Sequence, residues 1–299
     1  MNRWIVYQRE RFPVLSHGIA IGLYTFCALS FSAAVRGVPA APDLVHFLAA
    51  FTSAFVFFLQ LRIADEFKDK EIDACYRAHR PVPRGLVTLS ELATVAVAGA
   101  AMQLAIAIWV DSSLVPLLAL VWVYLGLMTT EFFVPRWLKA RPVSYLLSHM
   151  FIVPLITLYL TAFDWIVAGA SPSADLGWLL ATSFLVGLVF EIGRKIRPPG
   201  EEREGVETYS ALWGLRAALC VWQGALIATL CAGVAAGILL GSGAIYLVVL
   251  GGALLLPTFV AWRLIHRPET VSTQVIERLS ALAALLVYSG LSALALGYS

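Results

Sequence analysis

The chain is 299 residues long, 60% hydrophobic and only 13% charged, with a mean hydropathy of +0.82 and a formal net charge of +2. So apolar a composition excludes a soluble globular domain of this length and specifies a polytopic membrane protein. The near-neutral balance calls for no nucleic-acid partner, and Cys27, Cys75, Cys220 and Cys231 show no metal or Cys-x-x-Cys spacing, so free thiols are expected.

Runs long enough to cross ~30 Å of hydrocarbon as helices fall at about 14–35, 44–63, 88–110, 114–133, 143–163, 176–193, 212–237, 243–262 and 277–297. These predict nine spans, an all-α fold around a central cavity, and one membrane domain over residues 1–299. The first span lacks a small-residue cleavage site and reads as retained structure, not as a removable signal peptide. Loops rich in Lys and Arg stay cytoplasmic. With nine spans, 20 of the 21 basic residues fall on one face and only Arg36 on the other. The N-terminus is therefore expected inside, the C-terminus outside, and the chemistry on the cytoplasmic side, where the long polar loops lie.

After the second span comes Asp65-Glu66-Phe67-Lys68-Asp69-Lys70-Glu71-Ile72-Asp73, and soon afterwards Arg80-Pro81-Val82-Pro83-Arg84-Gly85. On a helix, Asp65, Asp69 and Asp73 project from one face, with Glu66 on the flank of that stripe. Carboxylates stacked where a helix leaves the bilayer repel one another unless cations lie between them, and hard oxygen ligands completed by substrate phosphates suit Mg²⁺. Asp65, Glu66, Asp69 and Asp73 are thus candidate metal ligands, with Asp69 and Asp73 central to catalysis. Arg77, Arg80 and Arg84 are candidate phosphate contacts, because guanidinium groups fork onto phosphate oxygens.

This stretch resembles the first aspartate-rich motif of the UbiA superfamily of intramembrane prenyltransferases, Asn-Asp-x-x-Asp-x-x-x-Asp followed by Arg-Pro-x-Pro-x-Gly. Asp65 stands at the Asn position and Glu66, Asp69 and Asp73 at the three Asp positions. Arg80, Pro81, Pro83 and Gly85 match the tail. The resemblance implies that these carboxylates bind Mg²⁺, which in turn holds the diphosphate of an isoprenoid donor. Ionisation of the allylic diphosphate would then give a carbocation that an acceptor captures.

Further along, Glu131 ends the fourth span, with Tyr124 before it. Lys139 and Arg141 occupy the loop where the family places basic residues near the donor. Ser148 and His149 enter the fifth span, where they could touch an acceptor or join helices by a hydrogen bond.

The loop after the sixth span departs from the family. There the family carries Asp-x-x-Asp-x-x-Gly-Asp and then Gly-(Ile/Val)-x-Thr. Aligning Gly205-Val206-Glu207-Thr208 on that tail puts Gly200-Glu201 on Gly-Asp but Arg194 and Arg197 on the two preceding aspartates. Glu191 and Glu202 are candidates for partial compensation, and Pro198-Pro199 should end the helix. Glu201 is the surviving acid. Arg194, Lys195 and Arg197 are candidate direct diphosphate contacts, and Tyr209 is a candidate for orienting an acceptor or stabilising a cation. The two charged loops, at corresponding places in the two halves, suggest half-sites facing each other across the cavity.

The expected protein is a Mg²⁺-dependent membrane prenyltransferase joining an isoprenoid from a polyprenyl diphosphate to a lipophilic acceptor, with its lipid tail in the bilayer. Two alternatives stand beside it: a membrane terpene cyclase, which would yield product from the donor alone, and a non-catalytic lipid-binding or transport protein on the same fold.

Overall fold

The computed structural model describes residues 2–202, 205–241, 248, 251–267 and 271–297. Among these the secondary structure is helical, with no strand. The first helices in chain order are α1 (Arg3–Arg11), α2 (Val14–Val35), α3 (Leu44–Lys68), α4 (Lys70–Tyr76), α5 (Leu89–Val110), α6 (Val115–Thr129) and α7 (Pro135–Lys139). They are followed by α8 (Pro142–Met150), α9 (Ile152–Trp165), α10 (Leu176–Gly193), α11 (Tyr209–Trp213), α12 (Leu215–Leu239), α13 (Leu255–His266) and α14 (Thr273–Ala295).

Eight described segments are helical, long and apolar enough to cross a membrane; the fifth, Pro142–Trp165, is broken between α8 and α9. They coincide with eight of the nine expected spans. The remaining one, at about 243–262, lies partly outside the described residues, and α13 covers its second part. All four cysteines are free.

Two compact units divide the chain: Met1–Leu29 with Pro42–Pro142 and Leu158–Ser171, and Ser30–Ala41 with Val143–Thr157 and Pro172–Ser299. In the first, small residues let α3 pack closely: Ala50, Ser53 and Ala54 are fully buried. Because lipid tails are as apolar as the side chains, polar contacts add specificity between such helices. Gln103 of α5 donates to the Ser53 carbonyl at 3.0 Å and accepts from Trp122 of α6 at 3.0 Å, so one amide ties three helices. The amphipathic α1 is capped by Asn2 and packs Tyr7 against Ile63, Val87 and Leu92. Thr88 and Glu91 form a reciprocal capping box that starts α5.

In the second unit, α10 and α12 make the most extensive helix pair, and α14 closes on both. Gly193 ends α10 where no side chain fits: a Cβ there would collide with Ser280 Oγ and stand 3.1 Å from Trp222 Nε1. Trp222, fully buried on α12, donates to Ser280 of α14 at 3.1 Å. The polar loop after α10 therefore starts from a rigid three-helix junction.

Candidate functional site

The motif of the first unit begins on the last turn of α3, which runs past the apolar stretch and keeps Asp65 and Glu66 helical. The helix breaks locally at Asp69 (φ −87°, ψ 3°). Even so, the Asp69 amide donates to Asp65 O at 2.9 Å and the Asp73 amide to Asp69 O at 2.8 Å. The one-turn stacking of the three aspartates survives the break because these i,i+4 bonds do.

Arginines answer the acids unevenly. Asp73 is buried, its side chain 3% exposed, and Arg80 Nη1 lies 2.8 and 2.6 Å from its two oxygens while Arg77 Nη1 lies 2.9 Å from Oδ1. The loop after α4 returns Arg80 to this position. Leu86 N donates to Pro81 O, Gly85 N donates to Val82 O, and Gly85 turns the chain at φ +72°, a conformation that favours glycine. Burial pushes Arg80 below its ordinary pKa, opposed by its bond to Asp73. Asp69 has no comparable partner: Arg77 stands 3.8 Å away. Burial, followed by the charges of Asp65 and Asp73, raises the Asp69 carboxyl above its usual range, with Arg77 and Arg80 pulling the other way. Asp65 has Arg62 at 3.6 Å.

Glu66 takes a different partner. Its side chain is 1% exposed and its Oε1 lies 2.5 Å from Nε of Arg11. Around it, α1 is fastened twice more, by Glu10 to Arg84 at 2.9 Å and by Arg3 to Glu91 at 2.6 Å. Glu131 reaches Lys68 at 3.7 Å from a turn in which Glu131, Phe132 and Phe133 all have positive φ. Three successive non-glycine residues in the left-handed region are costly, and strained turns of this kind cluster where geometry is fixed for a purpose. Lys139 lies exposed on the short α7 that follows.

In the second unit Glu191, Glu201 and Glu202 are already engaged. Glu191 is buried and pairs with Arg194 at 2.5 Å and Lys195 at 3.0 Å. Glu201, on a 3-10 turn after Pro198, accepts from the Thr273 amide at 3.2 Å and so caps the start of α14. Glu202 accepts from the hydroxyls of Thr208 at 2.8 Å and Ser210 at 2.6 Å. Lys195 Nζ stands 5.9 Å from the centre of the Tyr145 ring and 5.5 Å from that of Tyr209, with Trp213 stacked beyond Tyr209 and His149 beyond Tyr145. Burial, then Glu191 and Glu207, raises the Tyr209 phenol above its ordinary pKa, so it stays protonated. His149 is buried, and Nδ1 donates to the Tyr145 carbonyl at 2.8 Å. Arg197 reaches the Glu201 carbonyl at 3.5 Å while its Nε is buried without a partner. Arg203 lies outside the described residues.

Among the described residues no three His, Cys, Asp or Glu side chains converge as a metal-binding group. Of Asp65, Glu66, Asp69 and Asp73, the two whose oxygens are most available to a hard cation are Asp65 and Asp69, 37% and 43% exposed and one turn apart, with cations beyond hydrogen-bonding distance. That donor set fits Mg²⁺, which is commonly held by one or two carboxylates and substrate phosphates and not by an all-protein cage.

The expected residues thus fall into two groups: Asp65, Glu66, Asp69, Asp73, Arg77 and Arg80 come together in the first unit, and Arg194, Lys195, Arg197, Glu201 and Tyr209 in the second. Sequence reasoning missed Arg11 and Tyr145. Arg11 read as a topology charge, although its place at the end of a short amphipathic stretch was a usable signal. Tyr145 is four residues before His149 on one helical face, a spacing that could have linked the two.

The sequence profile of the UbiA prenyltransferase family matches residues 23–286. No match was found among curated protein sequences. Among solved structures, an apo UbiA homologue from Aeropyrum pernix K1 superposes with a TM-score of 0.68 at 17% identity, covering 91% of this chain and 96% of that one. A digeranylgeranylglyceryl phosphate synthase gives 0.64 at 17% identity, covering 99% and 100%. A UbiA homologue from Archaeoglobus fulgidus, solved with DMAPP and Mg²⁺, gives 0.56 at 14% identity, covering 96% and 99%. With the acidic stripe at the end of α3, the returning Arg-Pro-x-Pro-x-Gly loop and the matching helical fold, the chain belongs to the UbiA prenyltransferase family.

Proposed function

We propose that the protein is a Mg²⁺-dependent membrane prenyltransferase that moves an isoprenoid group from a polyprenyl diphosphate to a lipophilic acceptor, with its charged loops on the cytoplasmic side. The observation that carries this reading is Asp69, a carboxylate held next to Asp65 and Asp73 with its pKa raised and no hydrogen-bonded cation. Such a group stabilises whatever cation arrives. The Archaeoglobus fulgidus homologue was solved with an isoprenyl diphosphate and Mg²⁺, and the same pair is the natural occupant here.

Asp65 and Asp69 would hold the metal, with Asp73 completing the stripe. Mg²⁺, when bound, neutralises the diphosphate and favours departure of that group. Asp73 keeps Arg77 and Arg80 fixed, so their remaining N–H groups are oriented before the substrate arrives and cost no reorganisation as charge builds on the leaving oxygen. Arg194, Lys195 and Arg197 of the second loop, and Lys139, are cations of the kind that donate to anionic oxygens. Glu201 retains the acid position of the second motif. The Tyr209 phenol, kept protonated, can donate to an acceptor oxygen but is no base near neutral pH.

The prior engagement of Glu66, Asp73, Glu191, Glu201 and Glu202 favours one second reading, a protein that holds an isoprenyl diphosphate without cleaving it. Inorganic diphosphate release from geranyl, farnesyl and geranylgeranyl diphosphates, with membrane extract as acceptor source and with Mg²⁺ or chelator, separates the two. Mg²⁺-dependent release from any donor supports the transferase; binding without release supports the second reading. Prenylated acceptor in the products, as against hydrocarbon or alcohol from donor alone, distinguishes transfer from cyclisation.

A further inference from the structure

Glu66 lies one residue off the Asp65–Asp69–Asp73 stripe, about 100° around the helix from Asp65. It lines a cavity of about 160 Å³ with Lys70, Asp73, Val82, Pro83 and Leu89. Its carboxylate is 1% exposed and Arg11, 8% exposed, reaches it from α1. Resting on the transferase reading above, we propose that Arg11 is a built-in cation of the first motif: it holds Glu66 out of metal coordination, so Glu66 positions α3 and the metal is held from the aspartate stripe alone.

The pair is mutually dependent. Arg11 Nη2 is buried and without a hydrogen-bond partner, so a Glu66 that swung away toward a metal would leave a buried guanidinium with its charge unanswered. Nor can Arg11 readily follow or withdraw. Its helix is fastened by Glu10 to Arg84 and Arg3 to Glu91, and anchored by buried Tyr7. Burial, then the Glu66 charge, pushes the Tyr7 phenol above its ordinary pKa. With Glu66 answered by Arg11 and Asp73 by Arg80, the motif carboxylates without a hydrogen-bonded cation are Asp65 and Asp69, whose charge one divalent ion balances.

The test is Mn²⁺ binding by electron paramagnetic resonance on the purified full chain in lipid, so that the readout is the ion and not turnover. Arg11→Met, Glu66→Met together remove the buried pair, a replacement that proteins often tolerate. Arg11→Glu, Glu66→Arg reverse the pair and keep its attraction, and carry the test if the apolar pair does not fold. Either variant is expected to bind Mn²⁺ with the wild-type stoichiometry and within about threefold of its affinity, whereas loss of a ligand or its direct support costs about 10–100-fold. A tenfold loss, or a lower stoichiometry, in a folded variant overturns the proposal and makes Glu66 a ligand. Asp69→Asn, measured alongside, keeps the two levels apart. Wild type that binds Mn²⁺ through Asp69 while the pair variants do not removes only the role given to Arg11. Wild type that binds none removes the metal reading as well, and this inference with it.

Discussion

In the first loop carboxylates are set on one helical face and arginines are brought to some of them, leaving Asp69 beside two like charges; in the second, Glu191, Glu201 and Glu202 are each consumed locally. Arg194 is 44% exposed while its partner Glu191 is buried. The comparison teaches that an acidic motif can survive in sequence as Glu191, Glu201 and Glu202 and yet do structural work, tying down lysine and arginine, a helix end and two hydroxyls. Charge in a motif is a site only where folding has left it unspent.

Perturbing each loop sharpens that contrast, and the largest effect should come from Asp73. Asp73→Asn strips the charge that holds Arg77 and Arg80, and breaking a buried pair from one side costs about 3 kcal/mol or more, lowering the melting temperature by about 5–10 °C and abolishing diphosphate release. A melting curve at or above wild type would mean that the arginines are not anchored there. Next in size is the junction beneath the second loop. Gly193→Ala forces a Cβ onto Ser280 and should cost about 1–3 kcal/mol by overpacking, with Ser280→Ala in the same chain restoring part of it; thermal unfolding of the single and double variants decides.

Smaller still is Glu201→Ala, which removes the acceptor for the Thr273 amide and a negative charge at the start of α14. A loss of about 1 kcal/mol is expected, and no change in denaturant midpoint would refute the capping role. The smallest effect on stability, and the opposite in sign, belongs to Asp69→Asn. Because the folded Asp69 carboxyl has a raised pKa, the native state binds its proton more tightly than the unfolded chain does. Its ionisation therefore weakens the metal-free fold above the folded pKa, and that penalty is relieved as pH falls through it. The amide should leave the metal-free melting temperature unchanged or raise it by about 1–3 °C near neutral pH. A drop of similar size would show that the carboxylate is locally stabilising.

Much of this was legible in the sequence. Hydropathy located eight spans that the structure reproduces, since length and apolarity are local properties. The four-residue spacing of Asp65, Asp69 and Asp73 anticipated their stacking, which persists through the break at Asp69 because backbone hydrogen bonds bridge it. α10 stops at Gly193, five residues before Pro198, so the Pro198-Pro199 pair expected to end the helix lies in the loop beyond it. Pairings between distant segments were not legible. Arg11 finds Glu66 across 55 positions and Glu201 finds Thr273 across 72, and nothing local distinguishes an arginine that sets topology from one that answers a buried carboxylate. The left-handed turn at Glu131–Phe133 was hidden too, because none of those residues prefers that conformation and tertiary context imposes it.

The account rests most heavily on unspent charge at Asp69, and Asp69→Asn should keep the fold. The measurement is therefore Mg²⁺-dependent diphosphate release by wild type and by Asp69→Asn, in lipid, with a matched melting curve for each. The account predicts release that rises with Mg²⁺ in wild type and is at least about 100-fold lower in a variant that melts no earlier, a loss on the scale of a few kcal/mol in the barrier. Release from Asp69→Asn at the wild-type rate with the same Mg²⁺ dependence would contradict it.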